Sequence, residues 1–127
     1  MLFYLMIGLG GALGAMTRAY MTTFFPGAIG AFPLSILMVN ITGCFIMGMI
    51  TELFAIYLSV PLFINAFLTT GFLGGFTTFS AFALEFGLLF EKNLHGHALL
   101  YVSASVIVSL LGFFSGLRLI RFLPRFF

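Results

Sequence analysis

Gly71-Phe72-Leu73-Gly74-Gly75-Phe76-Thr77-Thr78-Phe79-Ser80 lies in the middle of an apolar run that extends from Leu62 to Phe90. The run is long enough to cross a bilayer, whose hydrocarbon core needs about 20 apolar helical residues. Its centre is nevertheless a poor helix. Each of Gly71, Gly74 and Gly75 costs roughly 1 kcal/mol against alanine, and the adjacent Thr77 and Thr78 hydroxyls compete for backbone hydrogen bonds. The spacing predicts an interruption between about residues 71 and 78. An interruption frees backbone N–H and C=O groups that lipid cannot satisfy, so they must face protein, water or an ion. Interrupted helices near the bilayer midplane are where transporters hold ions. The competing reading is a continuous helix with a glycine packing face.

Outward from this stretch the chain repeats the same theme. Of its 127 residues 62% are hydrophobic and 6% are charged, against roughly 25% charged in a soluble domain. So little charge cannot keep a surface hydrated, and lipid is the expected solvent. Residues 2–25, 32–57, 62–90 and 98–122 form four apolar runs. Pro26-Gly27, Ser59-Val60-Pro61 and Glu91-Lys92-Asn93-Leu94-His95-Gly96-His97 separate them. Strands are excluded, because a spanning strand alternates in a closed barrel whereas these runs are apolar throughout. The expectation is one all-α membrane domain of four transmembrane helices with both termini on one side. The first run lacks a basic leader and reads as a retained span. Gly10/Gly14, Gly11/Ala15 and Gly112/Gly116 are small pairs four apart that let helices approach closely, here within the chain rather than between chains.

Several function classes are excluded. A net charge of +2 is no nucleic-acid footprint. Cys44 is the single cysteine, so neither an internal disulfide nor a thiol metal framework is available. His95 and His97 are two apart in a polar segment and do not share a helix face. Paired acids at catalytic spacing and a nucleophile motif are missing, so the chain does not read as an enzyme.

The polar residues left inside the spans are few. Asn40 lies well into the second run, where its amide either donates to an anion or bonds two helices together. Phe79 and Phe82 share a helix face, and an aromatic edge is positive; spacing alone does not separate that role from ordinary packing. Tyr101, Ser105 and Ser109 fall at i, i+4 and i+8 and make a polar track, unless the serines bond back to their own helix. By depth, Arg18 is expected to pair with Glu85 near one membrane face and Glu52 with Arg118 near the other, because a lone buried charge is costly. Arg18 would also concentrate anions at a pore mouth.

Gly10-Gly11-Ala12-Leu13-Gly14-Ala15-Met16-Thr17-Arg18, then Val39-Asn40-Ile41-Thr42-Gly43-Cys44-Phe45 with Gly48, then residues 71–82 with Glu85 match a known pattern in order and spacing. Together they resemble the Fluc (CrcB-type) fluoride channels, the third motif being the most specific. The resemblance implies a passive channel that exports fluoride across the cell (inner) membrane. It implies an antiparallel, dual-topology homodimer with two pores and a structural sodium ion at its centre. It places Asn40, Phe79, Ser80, Phe82, Tyr101, Ser105 and Ser109 at the fluoride pore. The backbone carbonyls of Gly74 and Thr77 fall at the sodium site, and Arg18 and Glu85 at a vestibule or ion pair. This sequence departs from the pattern at Ser35-Ile36, where Gly-Thr is frequent, at Leu73, where a small residue is frequent, and at Cys44, where serine is common. Two rival readings compete with this one. A small multidrug resistance-type antiporter needs an embedded acid early in the chain, where this one has Arg18. A structural membrane subunit does not need the interrupted third span.

Charge distribution bears on topology. Lys92 and Arg18 lie toward one side, and Arg118, Arg121 and Arg125 toward the other. A split of two against three is too even to orient a chain decisively, which agrees with insertion in both directions.

Overall fold

The computed structural model of the protein describes residues 1–25 and 27–123. Four helical stretches, Leu2–Phe24, Ser35–Ile56, Leu62–Glu91 and His95–Phe122, are long and apolar enough to cross a membrane. The chain is a multi-pass membrane protein. Its large apolar side chains face outward along these stretches, Leu5 and Leu9 on the first and Leu99 and Leu100 on the last among them, as a lipid solvent allows. Arg125 lies outside the described residues.

Helix α1 (Leu2–Phe24) packs against the third span and α2 (Ser35–Ile56) against the last helix. Both contacts are made by glycine. A Cβ at Gly14 would strike the Phe72 carbonyl and sit 2.8 Å from the Phe76 nitrogen, and one at Gly75 would lie 2.5 Å from the Gly11 carbonyl oxygen. Gly48 and Gly116 do the same between α2 and the last helix, against the backbones of Phe113 and Phe45. The small-residue pairs therefore serve packing within the chain.

The third span has four helical pieces. It begins as α3 (Leu62–Ala66), widens to a π-helix over Phe67–Leu73, and tightens to a single turn, α4 (Gly74–Phe76). Thr77 (φ −77°, ψ 155°) and Thr78 (φ −150°, ψ 125°) are extended, and α5 (Phe79–Glu91) follows. Gly71, Gly74 and Gly75 thus stay in helical geometry; it is the two threonines that leave it. Thr78 caps α5 by accepting a 3.2 Å hydrogen bond from the Ala81 amide.

Of the connections, only the last is shorter than the polar runs predict. A two-stranded hairpin, β1 (Ala28–Ile29) and β2 (Phe32–Pro33), joins α1 to α2, with Ile29 paired to Phe32 across a tight turn. Gly30 sits in that turn at φ +62°, a conformation costly for any residue with a Cβ. The last helix, α6 (His95–Phe122), begins three residues earlier than residue 98, so the loop expected over 91–97 shrinks to Lys92-Asn93-Leu94. Asn93 takes φ 57°, which asparagine tolerates better than most residues. Beneath the hairpin, Leu37, Leu89, Ala98 and Tyr101 form a buried cluster, with Phe82 and Phe86 packed on it. This cluster fixes where α5 meets α6.

Candidate functional site

The extended pair Thr77-Thr78 is held from two sides. Asn40, one helical face of α2, reaches Thr78 with both ends of its amide. Its Nδ2 donates to the Thr78 carbonyl at 3.0 Å, and its Oδ1 accepts the Thr78 N–H at 2.8 Å. The side chain copies the pairing a neighbouring strand would make. In an uninterrupted helix the Thr78 N–H would bond the carbonyl of Gly74, so its diversion to Asn40 releases that carbonyl. From the other side, Arg18 at the far end of α1 donates through Nη1 to the Thr77 carbonyl at 3.3 Å. The Thr77 hydroxyl donates to the Leu73 carbonyl at 2.9 Å, so it remains tied to the π-helical segment.

A cavity of about 370 Å³ opens beside this clamp, lined by Asn40, Cys44, Gly74, Thr77, Thr78, Phe79, Phe82, Ser105, Val106 and Ser109. Asn40 and Cys44 are one turn apart on α2. Phe79 and Phe82 come from the first turn of α5, 5.1 Å apart between ring centres. Ser105 and Ser109 come from α6, and neither hydroxyl has a hydrogen-bond partner among the described residues although both are shielded. The wall therefore presents amide, hydroxyl, thiol and aromatic groups but no ionised side chain among the described residues. Neutral donors suit an ion that must bind and also leave. Phe82 is set by Tyr101, whose ring stacks on it at 5.5 Å while Phe32 meets the other side of Tyr101 edge-on at 5.7 Å. Phe79 has no such support and is 79% exposed.

The sequence-predicted residues divide accordingly. Asn40, Phe79, Phe82, Ser105 and Ser109 share the cavity, as do Gly74 and Thr77. Ser80, Tyr101, Arg18 and Glu85 are not on its wall. Ser80 shares a 3.1 Å hydrogen bond with the Thr78 hydroxyl. Tyr101 is fully buried and donates its hydroxyl to Glu85 Oε2.

Both charge pairs expected from depth are corrected. Arg18 turns to the Thr77 carbonyl and Glu85 accepts from Tyr101, so the two do not meet within the chain. Glu52, 6% exposed, pairs with Arg121 rather than Arg118. Arg121 Nε lies 2.5 Å from Oε1 and Nη2 3.3 Å from Oε2. From one turn nearer the helix end, the guanidinium spans the carboxylate while its outer edge stays exposed. Sequence reasoning missed Thr78, Cys44 and Val106 as wall residues. The signal for Cys44 was its place four residues after Asn40; for Thr78 it was the threonine ahead of an apolar helix, an N-cap pattern.

A family model described as CrcB-like protein, Camphor Resistance (CrcB) matches residues 5–117. A Fluoride-specific ion channel FluC of Rhodopseudomonas palustris (strain BisB5) is 44% identical over 119 residues, which is 93% of this chain and 96% of that protein. A protein of the same name from Chelativorans sp. (strain BNC1) is 46% identical, over 92% of this chain and 94% of its own. Another from Rhizobium etli (strain CIAT 652) is 41% identical over 91% and 94%. The match takes in Arg18 and Glu85 as well as the cavity wall, and the chain belongs to the CrcB family.

Proposed function

We propose that this protein is a fluoride-selective passive channel of the cell (inner) membrane. The observation that carries the reading is the cavity on which Asn40, Phe79, Phe82, Ser105 and Ser109 converge without an ionised group among them. A dehydrated small anion needs several close donors, and these are supplied by hydroxyls and by positive aromatic edges. The names of the relatives point to fluoride as the ion. A membrane potential negative inside drives an anion outward through such a path, with no coupled energy source. Ser80 and Tyr101 take part through the lining residues Thr78 and Phe82, and Glu85 through Tyr101. The antiporter reading is not favoured, since α1 holds Arg18 and no acid.

The functional unit is an antiparallel homodimer of single four-helix domains, inserted in both orientations, with a sodium ion at its centre. Phe79 supports this, because an aromatic ring 79% exposed beside a polar cavity gains a covering surface from a second copy. The interruption of the third span supports the sodium. Two extended threonines and a released Gly74 carbonyl offer oxygen ligands, which hard cations prefer. Two inverted copies would bring four carbonyls, from Gly74 and Thr77 of each. Arg18 is already bonded to the Thr77 carbonyl, whose second lone pair remains for the ion.

The test is efflux from proteoliposomes loaded with fluoride and chloride, each followed by its own electrode. Fluoride is expected to leave and chloride to stay. Equal efflux of both ions would overturn the reading.

A further inference from the structure

We propose that Cys44 is a thiol-modification site on the wall of the conduction cavity, one that takes small uncharged thiol-directed electrophiles and whose occupation stops ion passage. The blocking half of this statement rests on the channel reading above; accessibility of the thiol does not. Cys44 is partly exposed, sits one turn below Asn40, and lines the same cavity as Ser105 and Ser109. Ser105 supplies the second observation. The residue lines this cavity, is 7% exposed, and its hydroxyl has no partner among the described residues. The Ser109 hydroxyl, one turn on, is likewise unpartnered. A shielded hydroxyl without a partner costs about 1–3 kcal/mol, a cost that a polar occupant of the cavity, water or an ion, would relieve. A thiol on the wall of that space is wetted, and the thiolate is the form that reacts.

The chemistry is a simple exchange. With an alkyl methanethiosulfonate, the Cys44 proton passes to water and the thiolate Sγ attacks the alkyl-bearing sulfur. A new S–S bond forms, the S–SO₂ bond breaks, and methanesulfinate leaves with the electron pair. The product is an alkyl disulfide that replaces a small thiol with an apolar group across from Ser105 and Ser109. An apolar constriction blocks an anion by removing both water and donors. Because Cys44 is the single cysteine of the chain, labelling is unambiguous.

The experiment uses the full-length protein in liposomes, treated with propyl methanethiosulfonate, followed by intact-mass spectrometry and fluoride efflux in the same sample. One propyl-thio adduct per chain is expected, with efflux reduced about tenfold by the apolar constriction and restored by dithiothreitol. Cys44→Ser is expected to take no adduct, and its ratio of treated to untreated flux should stay at one whatever its basal flux. A wild-type protein that takes no adduct, or that takes it and conducts as before, would overturn the proposal. Absence of flux from the untreated protein would instead defeat the channel reading, and the mass spectrum would still decide whether Cys44 faces the wet cavity.

Discussion

Asn40 shows how much of the site depends on one amide. Both of its polar ends are used on the backbone of Thr78, so it holds the chain open as well as edging the cavity. Asn40→Asp removes the N–H that meets the Thr78 carbonyl and puts a negative charge in its place, next to an anion path. Fluoride flux is expected to vanish in liposome efflux; an active Asp variant would take Asn40 out of both roles. The aromatic pair makes a second prediction. Phe79→Ile and Phe82→Ile keep apolar bulk and lose the ring edge, whose contribution of about 0.5–1.5 kcal/mol corresponds to a drop of up to roughly tenfold in flux. Unchanged flux in both, with assembly intact by size-exclusion chromatography, would remove the aromatic role. Residue types were legible in the sequence, because an amide or a hydroxyl inside an apolar run stands out. Their partners were not. Arg18 meets a backbone carbonyl that exists as a free acceptor only because Thr77 and Thr78 are extended, and depth along the membrane says nothing of that. Arg118 and Arg121 lie one turn apart on α6, and the sequence alone does not say which of the two meets Glu52.

At the scale of the elements, the glycines carry the packing. Gly14 has no room for a methyl group, whereas nothing lies within 4 Å of a Cβ at Gly8 on the same helix. Gly14→Ala must push α1 off the third span, a strain of about 1–3 kcal/mol, and is expected to lower the melting temperature of the detergent-solubilised protein. Gly8→Ala is expected to leave it unchanged or slightly raised, since it adds helix propensity in open space. Equal melting temperatures for the two variants would mean that α1 does not sit where these contacts put it. The four helices were legible from length and hydropathy alone. The local geometry of the third span was not legible residue by residue. Weak helix formers marked the region, yet all three glycines keep helical backbone, Gly71 and Gly75 pack on Gly10 and Gly11, and the extended residues are the threonines. Propensity does not separate a glycine that unwinds a helix from one that lets a neighbour approach. The start of α6 was missed for a related reason. Its first residues, His95-Gly96-His97, are polar or weak formers, and the tight turn at Asn93 that brings them into the helix has no strong sequence mark.

At the scale of the whole molecule, the proposed pairing of two copies in opposite orientations is what remains to be tested. Added charge tests this. Two or three lysines in the Lys92–Leu94 connection should lock one orientation, and the same number at the C-terminus the other. Each variant alone is expected to be inactive, and co-expression to restore flux. Either locked variant conducting alone would rule out the antiparallel pair. The path itself is tested most directly by electrical recording. In a planar bilayer holding the purified protein, with fluoride on one side and an equal concentration of chloride on the other, the current at zero voltage reports which anion moves. A current carried by fluoride, with a reversal potential displaced far toward the value at which fluoride flow stops, is the expected result. A reversal potential near zero, showing that the two anions pass alike, would contradict a fluoride-selective pore.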